Sequence, residues 1–233
     1  MYHSITFGDK NTLDDWHLIP TSRPSVPVPD FSTKYVTIPG RHGTIDISDT
    51  LTGFPAYGDR SGSFGFYVEN GHWPWHVAYS TISNYLHGKQ MRMILEDDPG
   101  YFYQGRFKVG AWQTGKSFSG IEISYVVGPF KMAVTSSAEG WLWDPFNFET
   151  GVIRDYREIM VDGTTTVVVI GAGQPASPEF TVTGTVTATI DETTYTLPEG
   201  THQIYGLYIN PGEQEITFTG TGTVTIDYRE VSL

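Results

Sequence analysis

Apolar residues recur at every second position through the C-terminal part of the chain. Val167 and Val169 form one set, Val186, Ala188 and Ile190 the next, then Tyr195 and Leu197, Ile216 and Phe218, and Val224, Ile226 and Tyr228, with Thr or a charged residue between them. A period of two places alternate side chains on opposite faces of an extended strand, so each run has one face to bury. Thr-Gly pairs and Asn210-Pro211-Gly212 interrupt the runs where turns are needed. Short alternating strands at this spacing predict a sandwich of two antiparallel sheets. The Thr-Gly-Thr-Val texture returns near residues 183 and 219, but no fixed period accompanies it, so it is sandwich composition and not a repeat.

Upstream the texture is more varied. His3 to Phe7 alternates and turns at Gly8-Asp9, and a loop follows with Asn11, Asp14, Asp15 and Trp16. Termini are loose unless tied down, so a Trp and two carboxylates here imply a clamped loop. It is either an Asx-type turn with Trp16 plugging the local core, or a clamp against a neighbouring subunit. Alternating prolines at 24–29 make a stiff extended connector. Strands are expected at 35–38, stopping at Pro39-Gly40, at 44–47, and through Phe64, Phe66 and Val68, with a turn-rich loop over 49–60. The one convincing helix is 75–87, with Pro74 at its start, Gly88 as its stop, and Val77, Ile82, Tyr85 and Leu86 on one side. A β-hairpin flanks the acidic turn Glu96-Asp97-Asp98-Pro99-Gly100, and a further strand covers 121–127. Residues 1–131 therefore read as a β-rich α+β domain with one helix, residues 132–233 as an antiparallel β-sandwich domain, and the whole chain as mainly β.

Charge separates the same two parts. Residues 1–131 carry 11 Lys or Arg against 12 Asp or Glu, and residues 132–233 carry 3 against 14, so nearly all of the net charge of −12 lies in the second part. A step of this size marks two units and argues against nucleic-acid binding by the acidic one. Without Cys, neither a disulfide framework nor a thiolate metal site can form. The first residues lack the basic and apolar regions of a signal peptide, and the longest apolar run, 167–170, falls far short of a bilayer span, so a soluble protein with no membrane contact is expected.

The sequence contains no nucleophile elbow, phosphate-cradling loop or HExxH zinc pair. Gly171-Ala172-Gly173-Gln174-Pro175-Ala176 imitates a dinucleotide fingerprint, but an alternating strand follows where a helix N-terminus would be required. His72 and His76 stand four apart, yet Pro74 puts His72 outside the helix; a helix entry plugged by Trp73 and Trp75 is the favoured reading. The turn at 96–98 lacks the alternating Asp pattern of a calcium loop, and an acidic turn before Pro-Gly needs no ion. Trp141 and Trp143 would share a strand face, as a sugar-stacking platform or, the favoured reading, as a seal between the units. A carboxylate pair for glycoside hydrolysis cannot be named from sequence. No catalytic residue, cofactor or metal is expected, and no enzyme.

Four blocks in fixed order resemble siphophage distal tail (Dit) proteins. The first runs from Ile5-Thr6-Phe7-Gly8 through Asn11-Thr12-Leu13-Asp14-Asp15-Trp16-His17-Leu18-Ile19-Pro20 to Arg23-Pro24, and the second is Pro39-Gly40-Arg41-His42-Gly43-Thr44-Ile45-Asp46-Ile47. The third joins Tyr85-Leu86-His87-Gly88-Lys89 to residues 95–106, and the fourth is Trp143-Asp144-Pro145-Phe146-Asn147-Phe148-Glu149-Thr150-Gly151. Leu13, where a Trp is expected, and His42, where an Asp is commoner, depart from the pattern. The resemblance implies a structural virion protein at the distal tail tip, assembled in the host cytoplasm. Its N-terminal domain would close into a homo-hexameric ring around a channel, and a galectin-like sandwich would project outward. The ring would join the tail tube protein to the tail-associated hub protein, carry receptor-binding or baseplate proteins, and let DNA pass without specific binding. Interface candidates are Asn11, Asp14, Asp15, Trp16, Pro39, Gly40 and Arg41, each with a plainer reading as a turn or core contact. Charge agrees with this arrangement, since six strongly acidic lobes belong apart while near-neutral units can pack. The alternative is a carbohydrate-binding module that holds cell-wall polysaccharide through the C-terminal sandwich.

Overall fold

The structure, a computed structural model, describes residues 3–50, 53–69, 74–115, 118–139 and 154–233. The chain divides into two compact units, Met1–Lys131 and Met132–Leu233.

The first unit runs β1 (Ile5–Phe7), β2 (Lys10–Asn11), β3 (Ile19–Pro20), β4 (Phe31–Ser32), β5 (Tyr35–Thr37), β6 (Thr44–Asp46), β7 (Ala56–Tyr57), β8 (Arg60–Glu69), α1 (Trp75–Leu86), β9 (Gln90–Leu95), β10 (Tyr101–Val109), β11 (Gln113–Thr114) and β12 (Phe118–Val127). Its main sheet is ordered β2-β1-β9-β10-β12-β8-β3, with β11 beside β12. Alternation gives this antiparallel sheet one apolar face. Register sets Phe7 opposite Met93, Met93 opposite Tyr103, Phe107 opposite Tyr125, and Ile123 opposite Phe64, and all of these are buried together. The helix lies on that face through Ile82 and Leu86, each wholly buried and worth about 2 kcal/mol of apolar burial. Its buried stripe is Ala78, Ile82 and Leu86, at intervals of four, whereas Val77 is exposed. The expected stripe is corrected there: at 100° per residue Val77 falls well outside the arc defined by Ile82 and Leu86, and the small Ala78 occupies the contact. Gly88, at φ +75°, ends the helix and donates its N–H to the Phe107 carbonyl.

The second unit contains β13 (Lys131–Ala133), which starts at the boundary, then β14 (Ile159–Gly171), β15 (Glu179–Ile190), β16 (Thr193–Leu197), β17 (Gly200–Gln203), β18 (Gly212–Asp227) and β19 (Val231–Ser232). Five of these form one antiparallel sheet ordered β14-β18-β15-β16, with β17 also paired to β15. The strand β15 follows Gly171 to Ala176, so no helix N-terminus stands behind that glycine pattern.

Phe180 sits opposite Ile226, and Phe218 opposite Ala188. Positions 180 and 188 of a straight strand would be roughly 26 Å apart, yet the Phe180 and Phe218 rings meet at 6.4 Å between centroids. The sheet therefore bends until the two halves of its inner face touch, and Val182, Ala188, Ile216 and Val224 join one core. Along the bend four inward positions are glycine: Gly163 lies opposite Gly220, and Gly184 opposite Gly222. Both expected layers are thus halves of the same long strands. Alternation records which face is buried but not the curvature of the strand, and the glycines record the curvature.

Candidate subunit-interface surfaces

The N-terminal loop is knotted around Asn11. Its Oδ1 accepts from the N–H groups of Leu13 at 2.8 Å and Asp14 at 3.3 Å, and its Nδ2 donates to the hydroxyls of Ser4 and Thr6, each at 3.1 Å. This is the Asx-type turn. Asp15 closes it by accepting from Lys10 Nζ at 2.9 Å and the Asn11 N–H at 2.8 Å, and these two partners, in that order, hold its carboxyl below the usual range. Trp16 is buried against Phe7 and Tyr85, with centroids 6.3 and 5.6 Å away. Asn11, Asp15 and Trp16 are therefore committed to their own unit, and Asp14 is the exposed member of the group. Asn11→Ala removes four hydrogen bonds and leaves three buried or half-buried partners behind, at Ser4, Thr6 and Leu13, so it is expected to cost about 2 kcal/mol in urea unfolding.

The acidic turn is fully engaged. Glu96 accepts from the Ser4 N–H at 2.6 Å and hydroxyl at 3.0 Å, Asp97 from Arg23 Nε and His3 Nδ1, both at 2.8 Å, and Asp98 from Lys131 Nζ at 2.7 Å. One turn thus anchors the N-terminal arm and the residue that precedes the proline connector. Arg23 first, and His3 second, lower the Asp97 carboxyl from its ordinary value. A depressed folded-state value means that the stabilisation is present above the unfolded carboxylate value of about 3.9 and is lost as pH falls through the lower folded value. The first unit's resistance to urea should accordingly hold above about pH 4 and fall below it, and Asp97→Asn should lessen that acid loss.

The second candidate group, Pro39, Gly40 and Arg41, lies at the tip of the hairpin made by β5 and β6, where Tyr35 pairs with Asp46 and Thr37 with Thr44. All three are exposed. Between residues 31 and 46 Ile45 alone is even half-buried. Phe31 is 67% exposed, Tyr35 57% and Ile38 42%, with Val36 beside them. Strand alternation predicts a buried face for such a hairpin, and its own chain supplies none among the described residues. Its base is fixed by β4 against β7 and by Arg60. Arg60, 3% exposed, donates from Nε and one Nη to the Pro129 carbonyl at 2.8 and 2.6 Å, and from its other Nη to the Pro27 carbonyl at 3.1 Å. Burial lowers its pKa, partly opposed by Tyr103 and Tyr125. Sequence reasoning left Arg60 at the end of a loop; an Arg opening an alternating strand was its only signal.

His76 is exposed, and Trp75 packs edge-on against Trp112 at 5.2 Å. His72, Trp73, Trp141, Trp143 and the fourth block lie outside the described residues. Among those described, no group of three or more His, Asp or Glu is placed to hold a metal ion, and no helix is long and apolar enough to cross a membrane. In the second unit a shallow depression of about 630 Å³ is lined by Ala138, Asp155, Arg157, Glu158 and Thr225, without an aromatic ring.

Neither a protein-family model nor a curated protein matches the chain. Its fold, however, defines a class: a β-rich unit with, among the described residues, one helix on its sheet, followed by an antiparallel β unit. That fold is shared end to end with a solved structure, the Dit (gp 19.1) protein of SPP1, described as a paradigm of the hub adsorption apparatus in phages that infect Gram-positive bacteria. The TM-score is 0.60 with 13% identity, and 100% of each chain is covered.

Proposed function

We propose that this chain is a structural subunit of a phage tail tip, six copies of which close into a ring through their first units. The ring joins the tail tube protein to the tail-associated hub protein, carries receptor-binding or baseplate proteins, and leaves a channel through which DNA passes without specific binding. It belongs to the virion and has no catalytic step.

The observation that carries this reading is the bare hairpin. An isolated two-stranded hairpin is marginal in water, and this one has its apolar side chains in solvent. A neighbouring copy supplies the missing cover. A hairpin that clasps a different surface of the next copy is a heterologous contact, and heterologous contacts generate rings when the rotation closes. The fold shared with SPP1 Dit supports the same assignment.

Negative-stain microscopy of the purified chain tests it. Six-fold annuli with a central hole are the expected result. A monodisperse monomer that instead shifts on cell-wall polysaccharide in affinity electrophoresis would replace the ring with the carbohydrate-binding reading.

A further inference from the structure

Strand β14 is the free margin of the second unit's sheet. It pairs with β18 from Ile159↔Val224 to Gly171↔Gly212 without a bulge, and no other strand among the described residues flanks it. Ile170 shows which of its main-chain groups point outward. The Ile170 N–H donates to the Tyr156 hydroxyl at 3.1 Å, and its carbonyl accepts from Arg154 Nε at 2.9 Å and the Tyr228 hydroxyl at 2.6 Å. Ladder bonds alternate along an antiparallel pair, so Val168, Thr166 and Thr164 also turn their N–H and C=O away from β18. At the far end the Met160 carbonyl accepts from the Thr165 hydroxyl at 3.2 Å. Side chains close both ends of the margin, and among the described residues nothing covers its middle.

Natural sheets blunt such an edge with Lys, Pro, a bulge or a covering element. This one has none of the four among the described residues. The two strands at this margin also carry one sign of charge. Strands β14 and β18 contain Asp162, Glu213, Glu215 and Asp227 and no Lys or Arg, and Glu215 lies directly opposite Val168. The nearby Arg154 is paired with Glu230 at 3.0 Å. Val168 and Met160 add exposed apolar surface to the same face.

We propose that β14 is a docking edge which takes an extended, positively charged segment of another protein as an added strand, bonded to the main chain of residues 164, 166 and 168. A second copy of this chain is a poor occupant, because residues 132–233 carry 3 basic against 14 acidic side chains and two such edges would repel. The proposal holds whether or not the first units form a ring.

The probe is a short capped peptide alternating lysine with valine, titrated into the full-length chain and followed by amide hydrogen exchange and NMR shifts. The Thr164, Thr166 and Val168 amides are expected to exchange fast in the free chain and to become protected on binding, with affinity falling as salt rises. Thr166→Pro removes one outward N–H at a position where an edge strand tolerates proline, and it should abolish the protection. Thr166→Lys, which keeps the ladder intact, should weaken binding as well. Four results would each overturn the proposal: no binding, protection of these amides already in the free chain, binding that survives alternate N-methylation of the peptide, or equal binding of the glutamate–valine peptide. A dimer of the chain that Thr166→Pro disperses would make a second copy the occupant and overturn it too.

Discussion

Gly222→Ala is expected to destabilise the second unit by about 4 kcal/mol or more, while Gly163→Ala, on the same bend, costs only about 1 kcal/mol. Both glycines have positive φ, +153° and +83°, so both substitutions strain the backbone. They differ in what a methyl group would meet. At Gly222 an added Cβ falls inside the contact shell of the Thr183 carbonyl oxygen, with the Gly184 Cα close behind; at Gly163 nothing lies within 4 Å. The neighbour at Gly222 is backbone of the paired strand, which cannot rotate aside, so relief requires opening the bend. Opening it separates Phe180 from Phe218 and exposes the core between the two halves. Urea unfolding of the two variants, followed by the second unit's methyl resonances, reads the difference. Equal and small losses would mean that the sheet is not closed on itself at this line.

Replacing residues 34–48 with a short Gly-Ser linker should abolish assembly and leave the first unit's unfolding within about 1 kcal/mol of the parent. The segment contributes no fully buried side chain, so its own unit loses little. The Asn11 turn, the Trp16 contacts and the Glu96 to Asp98 anchors all lie outside it. Size-exclusion chromatography with light scattering, alongside a urea titration, separates the possible effects. Retained assembly would show that the hairpin is no clasp. A large loss of stability in the monomer would show that the hairpin belongs to its own unit's core. The milder Ile38→Asp places a charge on the exposed apolar stripe and should weaken assembly in the same direction.

Most of the strands were legible because alternation survives in the sequence: Phe64, Phe66 and Val68 on β8 and Ile121, Ile123, Tyr125 and Val127 on β12 face inward as expected. The Asx turn at Asn11 and the burial of Trp16 were also within reach, since both follow from local chemistry. Three features were not. Val77 looks like a helix-face residue until the position of the sheet decides which arc is covered. The closing of one sheet into two layers depends on four glycines that read individually as turn signals, and their alignment across strands exists only once register is known. The hairpin at 34–48 alternates like any half-buried strand, and exposure depends on what packs against it, which no local pattern encodes. Arg60 belongs with these, because its partners are carbonyls of Pro27 and Pro129, remote in sequence and invisible to any motif.

Native mass spectrometry of the full chain at moderate salt, run beside residues 1–131, tests the ring most directly. The first unit has a core of its own and nearly balanced charge, so both samples are expected at six times their monomer mass. Monomers of both, or a hexamer of the full chain beside a folded but monomeric 1–131 fragment, would contradict the assignment of ring formation to the first unit.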